Sequence, residues 1–401
     1  MTESNDGPDR KGSGGRTATM DSRERVLAAL DHREADRVPR DFAGTRYSSM
    51  HAEAYRRVRP AMGLPDEEIR IVDTTQGLAG IHEDILRRLG ADVGLINAGS
   101  PQGFTKEVTD DGEYERFLDE FGVLRARPHG GLYYESTTSP LSGTITIDDI
   151  EAYPWPDPVD PGRFEGMRER ARKIHDVEGR ASVVGSLCAG VTEMHFRMRG
   201  YEDGYMDLAL APDLARALMR KITDLKLAYW ERVLDEIGPD IDIAAEADDL
   251  GAQHAPLFSP GAYRDIVKPL HREINELIKS RSNAKFFLHS CGAIKELIPD
   301  LIDIGVDALN PVQVSAAGMD TAELKAEFGD DLTFWGGTVD PQKTLARGTP
   351  DEVHDEAVRR INELKPGGGF VIASIHNMQA QVPVENILAF WDAVEEAGTY
   401  A

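Results

Sequence analysis

Cysteine is nearly absent: the 401 residues include two, Cys188 and Cys291. Two cysteines exclude a disulfide framework and any closed metal site made of thiolates alone. They also point to a reducing, cytoplasmic setting. Basic residues are outnumbered: 45 Lys and Arg stand against 70 Asp and Glu, a net charge of −25. Such a chain is repelled by phosphate backbones and anionic lipid, so nucleic acid and membrane surfaces are excluded as partners. Small molecules and proteins remain, although acidity of this kind also simply keeps a surface solvated. No run of about 18 apolar residues occurs, which excludes a membrane-spanning helix. Met1–Thr19 is polar and rich in Gly, Ser and Asp, with no apolar core of a secretory signal. It reads as a disordered tail, with Met20 as the natural start of the folded chain. Internal repeats are missing, and so is a dinucleotide Gly fingerprint after the first strand. Gly367-Gly368-Gly369 is not followed by the Lys and Ser/Thr of a phosphate loop.

What is present is an ordinary globular balance, 41% hydrophobic and 29% charged. The pattern is an alternation of strands and helices. A short helix over Ser22–Asp31, with Asp21 or Ser22 as cap, precedes a first extended segment, Arg37–Phe42. Helical spacing follows over 51–61 and 78–89, then a strand over 92–96. From about 103 to 147 the texture changes to short β-like pieces separated by Asp-Asp-Gly, Phe-Gly and Gly-Gly. These predict antiparallel hairpins inserted into the main fold. Beyond Pro161 the alternation is regular. Strands are expected at 181–186, 241–245, 284–288, 308–311, 332–335 and 370–373. Helices are expected at 162–177, 191–210, 212–237, 259–281, 293–304, 319–327, 350–364 and 384–397. Such alternation predicts a parallel sheet, and about eight strands favour a (β/α)8 TIM barrel over a doubly wound sheet. We therefore expect one barrel domain over 20–401, with a β-hairpin insertion at 103–147 and a disordered tail at 1–19.

A barrel binds its ligands at the carboxyl ends of its strands, and five consecutive predicted strands end in polar clusters. They are Glu246-Ala247-Asp248-Asp249, His289-Ser290-Cys291-Gly292, Asn310-Pro311-Val312-Gln313, Gly336-Gly337-Thr338-Val339-Asp340 and Ser374-Ile375-His376-Asn377-Met378-Gln379. His289 and Cys291 lie two apart in one turn, and a thiol at a helix N-terminus ionises more easily. With His376 they form a zinc-type set, since zinc takes tetrahedral Cys, His and carboxylate ligands. Glu246, Asp248 or Asp249 would supply a fourth, and Asp248 and Asp249 are the candidate catalytic carboxylates. A lone His-x-Cys pair is equally compatible with a core cysteine beside a surface histidine. The five strand ends together argue for an active site. Arg37, Arg40 and Arg46, near the first strand, are candidates for an anionic substrate or are structural. Cys188 reads as a small core residue.

Particular motifs then resemble a known family. Met20–Leu30 followed by Asp36-Arg37-Val38-Pro39 is similar to the opening of the uroporphyrinogen decarboxylase superfamily. So are Leu288-His289-Ser290-Cys291-Gly292, Gly305–Pro311 and Phe334-Trp335-Gly336-Gly337. The resemblance covers about residues 20–397 and implies a (β/α)8 barrel. The cofactor-free decarboxylase branch carries an N-terminal Arg-Gln-Ala-Gly-Arg-Tyr motif, absent here. The corrinoid-dependent methyltransferase branch carries zinc on a His-x-Cys pair plus a later Cys. His289 and Cys291 match that pair, and His376 stands at the third position. The resemblance thus implies Zn2+ as cofactor, methylcobalamin or another corrinoid as co-substrate, and a corrinoid protein as partner. Imidazole in place of a second thiolate leaves the metal a stronger Lewis acid, better suited to an oxygen ligand than to thiol alkylation. Asn310, Gln313, Gln342, Asn377 and Gln379 are placed to orient a polar substrate. A cofactor-free decarboxylase and a barrel that binds without turnover are the alternatives.

Overall fold

The computed structural model describes residues 20–400. In chain order its strands are β1 (Ile71–Asp73), β2 (Leu78–Ala79), β3 (Val93–Ile96), β4 (Thr109–Asp110), β5 (Tyr114–Leu118), β6 (Leu124–Pro128), β7 (Glu135–Thr138), β8 (Ala181–Gly185), β9 (Ile243–Ala247), β10 (Lys285–His289), β11 (Ala308–Asn310), β12 (Thr333–Trp335) and β13 (Phe370–Val371). Seven of them form one parallel sheet in the order β13-β12-β11-β10-β9-β8-β3. The segment around Arg40 spans the two edges. Arg40 bridges Ile372 in parallel, the Asp41 N–H donates to Ile372 O at 2.8 Å, and the Asp92 N–H donates to Arg40 O at 2.9 Å. The sheet therefore curls into the (β/α)8 TIM-type architecture that the alternation predicts.

Its strands are short and apolar because helices cover their outer side and a second core fills the inside. That inner core contains Val93, Val183, Ile243, Ala245, Phe287, Trp335 and Val371, with Tyr47 and Leu95 packed against it. Local signals set the helix ends. Asp21 and Glu24 make a capping box on Ser22–Leu30, Thr349 and Glu352 make one on Pro350–Leu364, and Ser259 caps the turn beginning at Pro260.

Several boundaries depart from the sequence reading. The expected helix over 78–89 is only Glu83–Arg88, because Leu78–Ala79 pairs with β1 instead. The expected helix over 191–210 breaks at Gly200 into Val191–Arg199 and Tyr201–Leu210. The strand expected at 241–245 runs two residues later. β4 to β7 form a separate four-stranded antiparallel sheet between Thr109 and Thr138. The tail expected at 1–19 lies outside the described residues.

Candidate metal centre at the barrel mouth

β10 ends at His289, paired in register with Asn310 of β11. That pairing sets the imidazole. His289 Nδ1 lies 2.6 Å from Asn310 Oδ1, and Asn310 Nδ2 donates to Trp335 O at 2.9 Å. With the amide NH2 engaged there, the network assigns Oδ1 as acceptor and Nδ1–H of His289 as donor. The free Nε2 then faces Cys291 Sγ at 3.5 Å. His376 follows β13, its ring centroid 5.7 Å from that of His289. One ligand atom from each of His289, Cys291 and His376 falls within 4.8 Å of the others.

The Cys291 turn is fixed from both sides. Its N–H donates to Asp249 Oδ1 at 2.8 Å, and the Gly292 N–H donates to Gln313 Oε1 at 2.8 Å. Gly292 has φ +93°, and a Cβ there would stand 2.3 Å from the Gly251 backbone, so only glycine lets these two loops cross so closely. Burial lowers the His289 pKa. Burial and the neighbouring His289 bring His376 down to about 4. Both rings are therefore neutral and hold lone pairs at ordinary pH. Burial, then the Asp249 charge, pushes the Cys291 thiol up.

A cavity of about 650 Å3 opens onto His289 and His376. Arg46, Tyr47, Glu193, Asp249 and Gln379 line it from the barrel; Lys106, Arg125 and Tyr133 line it from the inserted segment. Tyr133 hydrogen-bonds Gln379 and so ties the insertion to the loop after β13. Arg125 is paired with Asp119 at 3.0 Å and Arg197 with Glu193 at 3.1 Å. Arg46 and Lys106 make no ion pair among the described residues.

Other residues expected at the mouth lie elsewhere. Asp248 is fully buried and caps the helix Val191–Arg199. It accepts from the Thr192 N–H at 3.0 Å, the Thr192 hydroxyl and the Glu193 N–H at 3.1 Å, and pairs with His271 at 2.9 Å. Its oxygens are taken up by these partners, and it does not line the cavity. Glu246 points outward to Lys226 Nζ and Trp230 Nε1, each at 2.6 Å. Arg37 and Arg40 lie at the opposite end of the barrel. Arg37 pairs with Asp92 at 2.7 Å, and Arg40 pairs with Glu395 and donates to Leu89 O at 3.1 Å. Asn377 holds loops together through Ser49 N and Arg46 O, both at 2.9 Å. Gln342 sits in the turn after β12, its N–H given to Asp340 at 2.9 Å, and does not line the cavity. Cavity residues missed from the sequence include Tyr47, Glu193, Arg197, Lys106, Arg125 and Tyr133. Of the cavity residues near the first strand, Arg46 carried a positional signal and its neighbour Tyr47 did not.

A family model described as uroporphyrinogen decarboxylase (URO-D) matches residues 132–397. The chain belongs to the URO-D family. It is 24% identical over 189 residues to a uroporphyrinogen decarboxylase of Coxiella burnetii, covering 46% of this chain and 48% of that protein. It is 26% identical over 184 residues to the methylcobamide:CoM methyltransferase MtaA of Methanosarcina barkeri, covering 46% and 49%. A uroporphyrinogen decarboxylase of Psychromonas ingrahamii matches at 25% over 279 residues, 66% of this chain and 73% of that one. The matches thus span about half the length of the first of these curated relatives. A solved methyltransferase from Methanosarcina mazei shares the fold of this URO-D family member, with TM-score 0.62 and 18% identity over 94% of this chain and 98% of that one.

The donor set of this family member fits zinc. Two neutral imidazoles and one thiol converge, and one imidazole has its outer nitrogen held by an amide, the usual support of a ligating histidine. Three protein donors beside an open cavity are the pattern of a catalytic rather than a structural site.

Proposed function

We propose that this URO-D family member is a zinc-dependent methyltransferase or demethylase component. It would move a methyl group between a corrinoid carried by a partner protein and a small acceptor or donor. The observation that carries this reading is the convergence of His289, Cys291 and His376 within 4.8 Å at the mouth. The MtaA relative supports it. A bound zinc ion would supply Lewis acidity to a heteroatom of the small substrate. The chain's own residues do the rest. His289, Cys291 and His376 would hold the metal, with Asn310 fixing the first and Asp249 and Gln313 fixing the Cys291 turn. Arg46, Lys106 and Tyr133 line the space where the substrate would sit, the last two from the inserted segment.

Purified protein should contain close to one zinc per chain by elemental analysis. Cys291→Ser and His289→Ala should lose most of it, together with thiol- or alcohol-dependent demethylation of methylcobalamin followed by absorbance. Full turnover by a metal-free preparation would overturn the reading. A second reading, a cofactor-free decarboxylase of a small acid, is favoured by Arg46 and Lys106, cavity cations with no acidic partner among the described residues. It predicts turnover indifferent to chelators and lost in Arg46→Met.

A further inference from the structure

Tyr47 lies in the loop after the first barrel segment, far in sequence from the metal-type residues, yet its ring lies face to face with His289. The centroids are 3.7 Å apart and the planes 12° from parallel. The same ring stacks on Phe287, at 6.2 Å and 10°. Phe287 and His289 are two apart on β10, so they point to the same side of the sheet, into the barrel. Tyr47 thus covers both, joining the top of the inner core to the imidazole above it.

The loop that delivers Tyr47 is built for the purpose. Asp41 is fully buried and accepts from the Gly44 N–H at 2.7 Å, the Ser48 hydroxyl at 2.7 Å, the Thr45 hydroxyl at 3.0 Å and Trp335 Nε1 at 2.9 Å. Four donors on one carboxylate draw the loop into a tight turn and attach it to β12. A Cβ at Gly44 would meet Val93 Cβ at 2.5 Å and Asp41 Oδ1 at 2.8 Å, so the loop can lie this close to β3 only with glycine there. The Tyr47 hydroxyl makes no hydrogen bond to the described residues, although the side chain lines the cavity. The ring, rather than the hydroxyl, is therefore what the protein itself uses.

A histidine's outer torsion is broad and settles into no sharp rotamer. The Asn310 hydrogen bond pins one ring atom but leaves the plane free to rock about it. A parallel ring at 3.7 Å removes that freedom.

We propose that Tyr47 is a positioning residue of the metal centre: its ring fixes the plane of His289, while Asn310 pins its Nδ1. The proposal rests on the zinc reading above and assigns the loop from Asp41 to Ser48 to the same centre. Full-length Tyr47→Phe and Tyr47→Leu are compared with wild type by zinc competition against a chromophoric chelator and by visible absorption of the Co2+-substituted proteins. Tyr47→Phe keeps the ring, so its affinity should stay within about twofold and its Co2+ bands should be unmoved. Tyr47→Leu should lose about 10-fold or more in affinity, the range of supporting-partner losses, and shift the Co2+ bands. Arg40→Met, at the opposite end of the barrel, controls for a general loss of stability and should leave both readouts unchanged. If leucine is not tolerated, Tyr47→Met fills similar volume without a plane and makes the same test. Wild-type affinity and spectrum in the leucine or methionine variant would overturn the proposal, as would an equal loss in Tyr47→Phe. Wild-type protein that binds no zinc would instead overturn the zinc reading, leaving the stacking geometry unassigned.

Discussion

Asn310 shows how a residue's type and strand position can be read correctly while its partner is not. Its place at a strand end marked it as a substrate contact. In the fold both ends of its amide are taken, one by His289 and one by Trp335 O. Asn310→Leu should therefore weaken zinc by about 10- to 100-fold in chelator competition, with little change in secondary structure by circular dichroism. A variant with unchanged zinc affinity would return Asn310 to the substrate side. His289, Cys291 and His376 were legible because each follows a clean apolar strand, and strand ends of a barrel share one face. Tyr47 was not, because stacking joins residues more than two hundred positions apart and leaves no local pattern.

At the scale of elements, the point where one strand ends set the places of three carboxylates. β9 runs to Ala247 rather than Ala245, so Glu246 faces the long helix Pro212–Ile237 and its Lys226, Asp248 reaches the start of Val191–Arg199, and Asp249 alone of the three reaches the mouth. Burial works to raise the Asp248 carboxyl, but the bonds from His271 and Thr192 outweigh it and hold the carboxyl below the usual range. A depressed carboxyl stabilises the fold above the unfolded pKa and loses that contribution as pH falls through the folded value. Asp248→Asn should thus cost about 1–3 kcal/mol at neutral pH and flatten the fall in Tm below about pH 4, with zinc content retained. A parallel acid limb in wild type and variant would show that Asp248 contributes no linkage.

For the whole molecule, the two ends of the barrel divide the labour. Asp92, buried before β3, gathers Arg25, Arg37 and the Arg40 N–H, while Arg40 reaches Glu395 near the carboxyl end of the chain. This knot closes the sheet between β13 and β3. Arg40→Met should lower unfolding stability by about 1–3 kcal/mol in urea and leave zinc stoichiometry at the wild-type value. Loss of zinc would place Arg40 in the site after all. The inserted segment works at the mouth instead, contributing Arg125 and Tyr133 to a cavity that His289 and His376 line from the barrel.

The sequence by itself determined the strand–helix order, the ends of Pro350–Leu364 and Val384–Ala397, and the grouping of His289, Cys291 and His376. Periodicity, caps and strand ends are local signals, set by a few neighbouring residues and the demand that polar groups leave the core. Only the tertiary structure decided which acid faces the cavity, which arginines are structural and which ring braces His289. Those depend on strand register, on sheet closure and on loops crossing at van der Waals distance, as at Gly44 and Gly292, and each is fixed by partners remote in the chain.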